Sequence, residues 1–309
     1  MNQTQTKTTR KRFKKFIREP QRYPLQLNKR DLDILHLIYD YRFIPSDHIT
    51  SLISGSDRKI LERLQKLFHH GYVDRLADRR IKTRSGSEKM TYAITKKAAD
   101  LLSGELGIEL SKINWAYRNK SITDRHIKHT LMIAKLKTTV GLAVRDGSGV
   151  DLMFWRENRG TGKSIDPELC DKVTIELPGG REERRRIIPD AFFGLEDPQY
   201  EHIFYVEADR STMTNERFMK KLKAYWTWWK EGGSKKKHNA EHFRVLTVTR
   251  SEQRRNNLRE VAKQASPGKS GSGMFWFACE KDYSINNPQS ILDEIWITAK
   301  DNERHALLE

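Results

Sequence analysis

The sequence contains few cysteines and no long apolar run. Only two of its 309 residues are cysteines, Cys170 and Cys279, too few for a disulfide framework or a cysteine-rich zinc site. No stretch approaches the roughly 20 apolar residues of a membrane-spanning helix, and no basic amphipathic segment with a strongly apolar face stands out. These absences predict a protein of a reducing compartment, which we expect to be the cytoplasm, without a membrane partner.

Positive charge is in excess. The chain has 58 Lys and Arg against 41 Asp and Glu, a formal net charge of +17, which favours polyanionic partners because cations that neutralise phosphates release counterions. A length of 309 residues suits about two domains. The pattern along the chain predicts a disordered basic arm (1–24), a DNA-binding domain (25–108), a linker (109–123), an α/β domain (124–300) and a tail (301–309).

An amphipathic helix is predicted to start after residue 55. Ser56 is a suitable cap because its side-chain oxygen accepts from unpaired backbone N–H groups. An apolar stripe runs from Ile60 to Phe68 at helical spacing, and Gly71 ends the helix. Two helices precede it and two β-prone runs follow it, an order typical of a winged helix-turn-helix domain: 28–41, 45–54, 72–76 and 90–95.

Cations gather on the side of this helix away from the apolar stripe and along the following hairpin. Such a helix and hairpin suit a DNA groove and its flanking phosphates. An ordinary amphipathic helix followed by a solvated loop is the alternative interpretation. The predicted contacts to double-stranded DNA are Arg58, Lys59, Arg63, Lys66, Arg75, Arg79, Arg80, Lys82, Arg84 and Lys89.

From residue 124 the pattern predicts a mixed sheet covered by helices, and hence an α+β protein overall. The lysine-rich stretch 232–238 is interpreted as a flexible loop, and Trp228 as the tryptophan of its helix that is best placed for exposure. The predicted helices are 124–144, 214–230 and 251–264, and the predicted strands are 150–156, 172–177, 184–195, 202–209, 243–249 and 274–278.

Three acidic residues lie at the ends of predicted core strands. Asp190 follows Pro189, and Glu207 and Asp209 fall on one face of the next strand because side chains alternate. If the two strands pair as a hairpin with its loop at 196–201, Asp190 lies across from Glu207. Mg²⁺ and Mn²⁺ prefer such oxygen ligands, so the three carboxylates are the candidate catalytic and metal-binding residues, with the metal polarising a phosphate and activating water.

Pro189-Asp190, followed on the next strand by Glu207-Ala208-Asp209, resembles the core of PD-(D/E)xK nucleases. A winged helix precedes this core, and the core contains the sequence Val206-Glu207-Ala208-Asp209-Arg210-Ser211-Thr212. In both respects the chain resembles the replication-relaxation family. That family is found on plasmids and other mobile elements and is associated with replication control or mobilisation. The resemblance implies a C-terminal PD-(D/E)xK-like domain with a mixed sheet, and replication or relaxosome proteins as further partners.

One residue departs from the pattern of an active nuclease. Asp209 stands where the motif carries a lysine, which helps to activate the attacking water and to stabilise developing negative charge. Lys220 or Lys221, on the following helix, are the candidates to replace it. We therefore expect DNA binding that needs no cofactor, and a requirement for Mg²⁺ or Mn²⁺ only if the chain cleaves DNA.

The sequence leaves three hypotheses about function. The first is a sequence-specific double-stranded DNA-binding protein of a plasmid or mobile element, acting in replication control, mobilisation or transcriptional regulation. The second is an Mg/Mn-dependent DNA endonuclease that the winged helix directs to its target. The third is a repressor that binds as a homodimer, whose two-fold symmetry requires two related half-sites in the DNA.

Overall fold

The computed structural model describes residues 15–22, 24–76, 89–106, 122–145, 149–158, 165–266 and 271–309. The chain divides into two compact units, residues 1–124 and 125–309. Both contain helices and strands, so the predicted α+β class is confirmed. In the described part of the chain, no helix combines the length and the apolar character needed to cross a bilayer.

The first unit combines helices with a small antiparallel sheet. Its helices are α1 (Lys29–Tyr41), α2 (Ser46–Leu52), α3 (Asp57–His69) and α4 (Lys96–Leu106). Its strands are β1 (Ile44–Pro45), β2 (Val73–Leu76) and β3 (Thr91–Ile94). Strand β3 lies in the middle of the sheet, with β1 and β2 antiparallel on either side.

Local sequence sets the ends of the helices in this unit. Asn28 accepts from the backbone N–H of Asp31 at 3.1 Å, and the Asp31 carboxylate accepts from the Asn28 N–H at 3.0 Å, which is a capping box. Ser56 accepts from the Lys59 N–H at 3.4 Å, as the sequence predicts. Gly71 follows α3 with a φ of +76°, a left-handed conformation that glycine adopts without a Cβ clash.

Residues 15–22 lie against α3 and β2. The Arg18 guanidinium donates to the carbonyl oxygen of Phe68 at 2.9 Å and pairs with Asp74 at 2.6 Å. The sequence predicts disorder for residues 1–24, but residues 15–22 of this arm are held by these contacts. The reason is that a helix C-terminus presents unpaired carbonyl groups that a guanidinium can satisfy. The composition of residues 1–24 does not show that Arg18 lies close enough to α3 to do so.

The second unit is built around a seven-stranded mixed sheet. Its strands are β4 (Asp151–Glu157), β7 (Ala191–Glu196), β8 (Glu201–Asp209), β9 (Arg244–Thr249), β10 (Phe275–Cys279), β11 (Trp296–Thr298) and β12 (Arg304–His305). They are ordered β12-β11-β10-β9-β8-β7-β4. Strands β8, β9 and β10 are parallel, and the other neighbours are antiparallel.

Helices cover both faces of this sheet. The elements outside it are α5 (Asp124–Ala143), the hairpin of β5 (Asp171–Leu177) and β6 (Arg181–Ile187), α6 (Asn215–Lys230), α7 (Gly233–His238) and α8 (Glu252–Ala265). Helix α5 packs its apolar residues with Phe193 and Phe204 on one face. Helices α6 and α8 pack with Phe192 and Tyr205 on the other, and the β5–β6 hairpin packs on α6.

The pairing of β7 with β8 confirms the predicted hairpin. Ala191 lies opposite Val206 and Glu196 lies opposite Glu201 in an antiparallel register. The residue before Ala191 therefore reaches the level of Glu207, and the Asp190 N–H donates to the Val206 carbonyl at 2.9 Å. The two carboxylates are brought to the same end of the hairpin, as the sequence predicts.

Three local predictions are wrong. The predicted strand 184–195 is two strands, because the chain leaves β6 at Ile187 and enters β7 at Ala191, and Pro189 between them has no N–H for a ladder. Residues 233–238 form α7 instead of a flexible loop. Trp228 is only 3 % exposed, since its ring packs on Tyr205 and Phe243 and its indole N–H donates to Asp171 of β5 at 2.7 Å.

Candidate functional site

The predicted DNA contacts on α3 differ in exposure. Arg58 and Lys59 lie in the exposed first turn, where the Arg58 side chain is 90 % exposed and pairs with Glu62 at 3.2 Å. Lys66 is partly buried, and Lys89, ahead of β3, is exposed. The predicted contacts that fall outside the described residues are Arg79, Arg80, Lys82 and Arg84.

Arg63 faces the interior of the first unit, whereas the sequence predicts that it faces DNA. Its Nε donates to Asp31 Oδ1 at 2.7 Å, and a terminal nitrogen donates to the Gln26 carbonyl at 2.9 Å. The hydrogen bond with Asp31 raises the pKa of Arg63. The Arg63 side chain is 17 % exposed and that of Asp31 is fully buried, so this cation already has a buried counter-ion.

Arg75 is also engaged within the first unit. Its guanidinium lies 4.1 Å from the centre of the Phe68 ring, a cation–π contact, and donates to the Lys15 carbonyl at 2.8 Å. Arg75 therefore joins β2 to α3 and to residues 15–22. Of the predicted contacts on described residues, Arg58, Lys59 and Lys89 are the exposed ones.

Asp190 lies between β8 and α5. Its Oδ2 accepts from the Ala208 backbone N–H at 2.8 Å and lies 3.2 Å from Nε2 of His129. Burial alone would raise the pKa of Asp190, but the hydrogen bond with His129 and the charges of His129 and Lys221 lower it. Burial alone would lower the pKa of His129, but Asp190 raises it. Both shifts favour the charged form of each side chain, and the two side chains are 30 % and 25 % exposed.

Glu207 is held by two side chains of α6. The Tyr225 hydroxyl donates to one carboxylate oxygen at 2.7 Å, and the Lys221 ammonium group contacts the other. Burial raises the pKa of Glu207 to about 7, although the charge of Lys221 opposes that rise. Burial also raises the pKa of Tyr225, as does the neighbouring carboxylate.

Asp209 turns toward α8 and is fully paired. Arg254 donates from two nitrogens to the two carboxylate oxygens at 2.9 and 3.0 Å, and the bidentate geometry makes this a strong, directional pair. Arg254 also donates to Asn215 at 3.0 Å. Glu207 and Asp209 lie on the sheet face that α6 and α8 cover, as alternation predicts. Glu207 is bonded to side chains of α6, whereas Asp209 is bonded to a side chain of α8.

The three carboxylates of the predicted metal site contact different partners. In the segments that the structure describes, no group of three or more His, Cys, Asp and Glu side chains is arranged to hold a metal ion. Asp209 gives both oxygens to Arg254, and Glu207 gives its oxygens to Tyr225 and Lys221. The oxygens of Glu207 and Asp209 that could act as ligands to Mg²⁺ or Mn²⁺ therefore already accept hydrogen bonds from Tyr225, Lys221 and Arg254.

Lys221, and not Lys220, is the lysine that lies near the three carboxylates. We call Asp190, Glu207 and Asp209 the acidic cluster. Its charge acts on Glu207, Asp190 and Asp209. Lys220 pairs instead with Glu183 at 3.1 Å and with Glu216 at 3.0 Å. Successive residues of a helix point about 100° apart, so when one of the two faces the sheet its neighbour cannot. Asp190, Glu207 and Lys221 therefore lie close enough for their charges to influence one another's pKa.

Sequence reasoning missed part of this site. The candidate residues predicted from the sequence do not include Tyr225, His129 or Arg254. One signal was present, because Tyr225 lies four residues after Lys221 and therefore on the same side of α6. Nothing local points to Arg254, whose partner lies 45 residues earlier.

Comparison with known proteins identifies the family. None of the curated proteins and none of the solved structures gives a significant match. A family model described as Replication-relaxation matches residues 35–245, a range that includes α3, the acidic cluster and Lys221. Because this range is more than half of the 309 residues, the chain belongs to the replication-relaxation family.

Proposed function

We propose that this protein binds duplex DNA through its first unit. Its family indicates a role in the replication of plasmids or mobile elements, a process that acts on DNA. The observation that carries the proposal is the exposed start of α3. Arg58 and Lys59 project there from a helix whose other side is anchored by the fully buried Ile60, Leu64 and Leu67, so the two cations are held on a fixed scaffold.

The order of elements supports this assignment. Helices α1, α2 and α3 are followed by the β2–β3 pair, an arrangement in which the third helix enters the major groove and its N-terminal residues meet the bases. The pair between Arg58 and Glu62 is exposed, and such pairs contribute little to stability. A phosphate or a guanine edge therefore competes well with Glu62 for the guanidinium.

Salt titration tests this proposal. Arg58→Ala and Lys59→Ala are expected to weaken binding of a labelled duplex and to reduce the slope of log affinity against log salt by about 0.9 for each phosphate contact that is lost. Lys29→Ala is the matched control, because Lys29 is an exposed lysine at the start of α1. Wild-type affinity and slope in both α3 variants would refute the proposed contact.

Cleavage of DNA is a second candidate function, and the position of Lys221 is the observation that favours it. Asp190, Glu207 and Lys221 are the acidic and basic residue types with which nucleases act on phosphodiesters. The carboxylate oxygens of Glu207, however, are already bonded to Tyr225 and Lys221. We therefore place DNA binding first and expect no turnover.

Supercoiled plasmid separates the two functions. Incubated with the purified protein and either Mg²⁺ or Mn²⁺, the plasmid is expected to stay supercoiled, and an Asp190→Ala variant is expected to behave in the same way. Nicking by the wild-type protein that is absent from the Asp190→Ala variant would instead establish a metal-dependent endonuclease. Agarose electrophoresis of the plasmid forms provides the readout.

A further inference from the structure

One face of the β5–β6 hairpin packs on the second unit through apolar side chains of β5 and Ile187, and the other face is exposed and charged. Side chains alternate along both strands, and Val173, Ile175 and Ile187 are buried in the cluster that contains α6. The even-numbered residues of both strands are exposed. This outer face consists of Lys172, Thr174, Glu176, Glu182, Arg184 and Arg186.

Positive and negative side chains of the outer face lie at opposite ends of the hairpin. In the antiparallel register Lys172 lies directly opposite Arg186, and Glu176 lies directly opposite Glu182. Like charges in directly opposite positions destabilise a hairpin, whereas opposite charges would stabilise it. Exchanging one cation with one glutamate would give two ion pairs. The hairpin therefore keeps a cationic open end and an acidic turn end at a cost to its own stability.

The three cations of this face also lack counter-ions within the described residues. Lys172, Arg184 and Arg186 form no ion pair there, in contrast to Arg185 of the inner face, which pairs with Glu183 at 2.6 Å. Arg184 and Arg186 are two positions apart on one strand and so about 6.6 Å apart along it. The open end of the hairpin is thus a short row of exposed cations on a rigid strand pair.

We propose that the cationic open end of the β5–β6 hairpin is a second nucleic-acid contact, which binds the phosphate backbone. A polyanion relieves the repulsion between Lys172 and Arg186, and counterion release favours its binding. A membrane surface fits less well, because Thr174 separates the charged pairs and the face presents no apolar side chain for insertion. The acidic pair at the turn end repels phosphates, which confines the contact to the open end.

This inference rests on the proposed function only in taking DNA as the polyanion, and the two can fail separately. Lys172→Glu is the informative variant, because it places a glutamate opposite Arg186 and so converts a repulsive pair into an attractive one. The variant is expected to unfold at the same or a higher temperature than the wild-type protein. Its affinity for nucleic acid is nevertheless expected to fall.

The experiment measures affinity against salt with the full chain, for a labelled duplex and for a single strand. Lys172→Glu is expected to reduce the salt slope by about 0.9 on duplex or about 0.7 on single strand, and the nucleic acid that shows the loss is the bound form. Arg184→Ala with Arg186→Ala is expected to remove about twice as much. Lys281→Glu is the matched control, since Lys281 is exposed on another part of the second unit and undergoes the same charge change.

The outcomes are distinguishable. If Lys172→Glu and Lys281→Glu behave alike on both nucleic acids, the hairpin contact is refuted, whatever the α3 variants do. If Lys172→Glu loses affinity while Arg58→Ala and Lys59→Ala do not, the hairpin contact stands and the α3 contact fails. A selective loss in Lys172→Glu, with unfolding no easier than in the wild-type protein, supports the proposal because it rules out damage to the fold.

Discussion

Replacing Lys221 by methionine is expected to lower the free energy of unfolding by about 3–5 kcal/mol at pH 8. The substitution keeps most of the side-chain volume but removes the ammonium group that contacts the Glu207 carboxylate. Glu207 is 4 % exposed, so its negative charge would remain buried with the Tyr225 hydroxyl as its only close donor among the described residues. A buried charge without a counter-ion is among the most destabilising changes that a single substitution makes.

The loss is expected to depend on pH. The charge of Lys221 holds the pKa of Glu207 down to about 7, so removing it raises that pKa further above the usual 4.5 of a glutamate. A carboxyl group with a higher pKa in the folded state binds a proton more readily when folded, and stability therefore falls as the pH rises through that range. The variant should be weakest above pH 7 and should recover as the pH falls toward 5.

Urea unfolding at pH 5 and at pH 8 provides the measurement. The matched control is the double variant Glu207→Gln with Lys221→Met, in which both charges of this pair are removed. It is expected to lose less stability at pH 8 than Lys221→Met alone, because residues in contact are not additive. Equal losses at both pH values, or a double variant less stable than Lys221→Met, would contradict the proposed pairing.

Arg63→Met is expected to destabilise the first unit by about 3–5 kcal/mol. It would leave the fully buried Asp31 carboxylate without its counter-ion, although the capping hydrogen bond from Asn28 remains. Arg58→Ala breaks an exposed pair on the same helix and is expected to change stability by less than about 1 kcal/mol. The two substitutions should therefore separate a structural arginine from one that we propose contacts DNA.

Denaturation and DNA titration together test this separation. Arg63→Met should shift the unfolding transition, while Arg58→Ala should shift mainly the DNA affinity. Arg63→Met with Asp31→Asn should recover part of the stability, because the buried charge is then gone. If Arg63→Met unfolds like the wild-type protein and loses DNA affinity as Arg58→Ala does, then Arg63 contacts DNA, as the sequence alone predicts.

The spacing of apolar residues in the sequence is sufficient to predict much of the fold. It predicts α1, α3 and α5 to within a few residues, because α1 and α3 each bury one stripe of side chains and α5 buries a broad apolar part of its length. It also predicted the β7–β8 hairpin, whose alternation places Asp190 and Glu207 at one end. These features depend on contacts between neighbouring segments of the chain, which a local pattern encodes directly.

Contacts between distant segments were not predictable in the same way. The pattern shows that Arg63 lies off the apolar stripe of α3, but it does not show that Asp31, 32 residues earlier, lies beside it. Asp209 and Arg254 are 45 residues apart. In each case a charged side chain that looks exposed in the sequence has a counter-ion on an element that only the fold brings close.

The burial of Trp228 has a similar cause. The sequence predicts that Trp228 lies on an exposed side of α6, but this helix lies between the large sheet and the β5–β6 hairpin and is covered on both sides. Trp228 contacts both layers, because its ring centre lies 5.6 Å from that of Tyr205 in β8 and its indole N–H donates to Asp171 in β5. A single periodic stripe describes a helix at a surface and does not distinguish one that lies between two layers.

Selection of bound fragments from a random pool of duplex DNA, with and without Mg²⁺, tests the central claim most directly. The protein is expected to enrich one sequence motif under both conditions and to leave both strands intact. Recovery of fragments with no enrichment over the starting pool would contradict site-specific recognition by α3. Enriched fragments that carry strand breaks only when Mg²⁺ is present would contradict the view that the acidic cluster does not support cleavage.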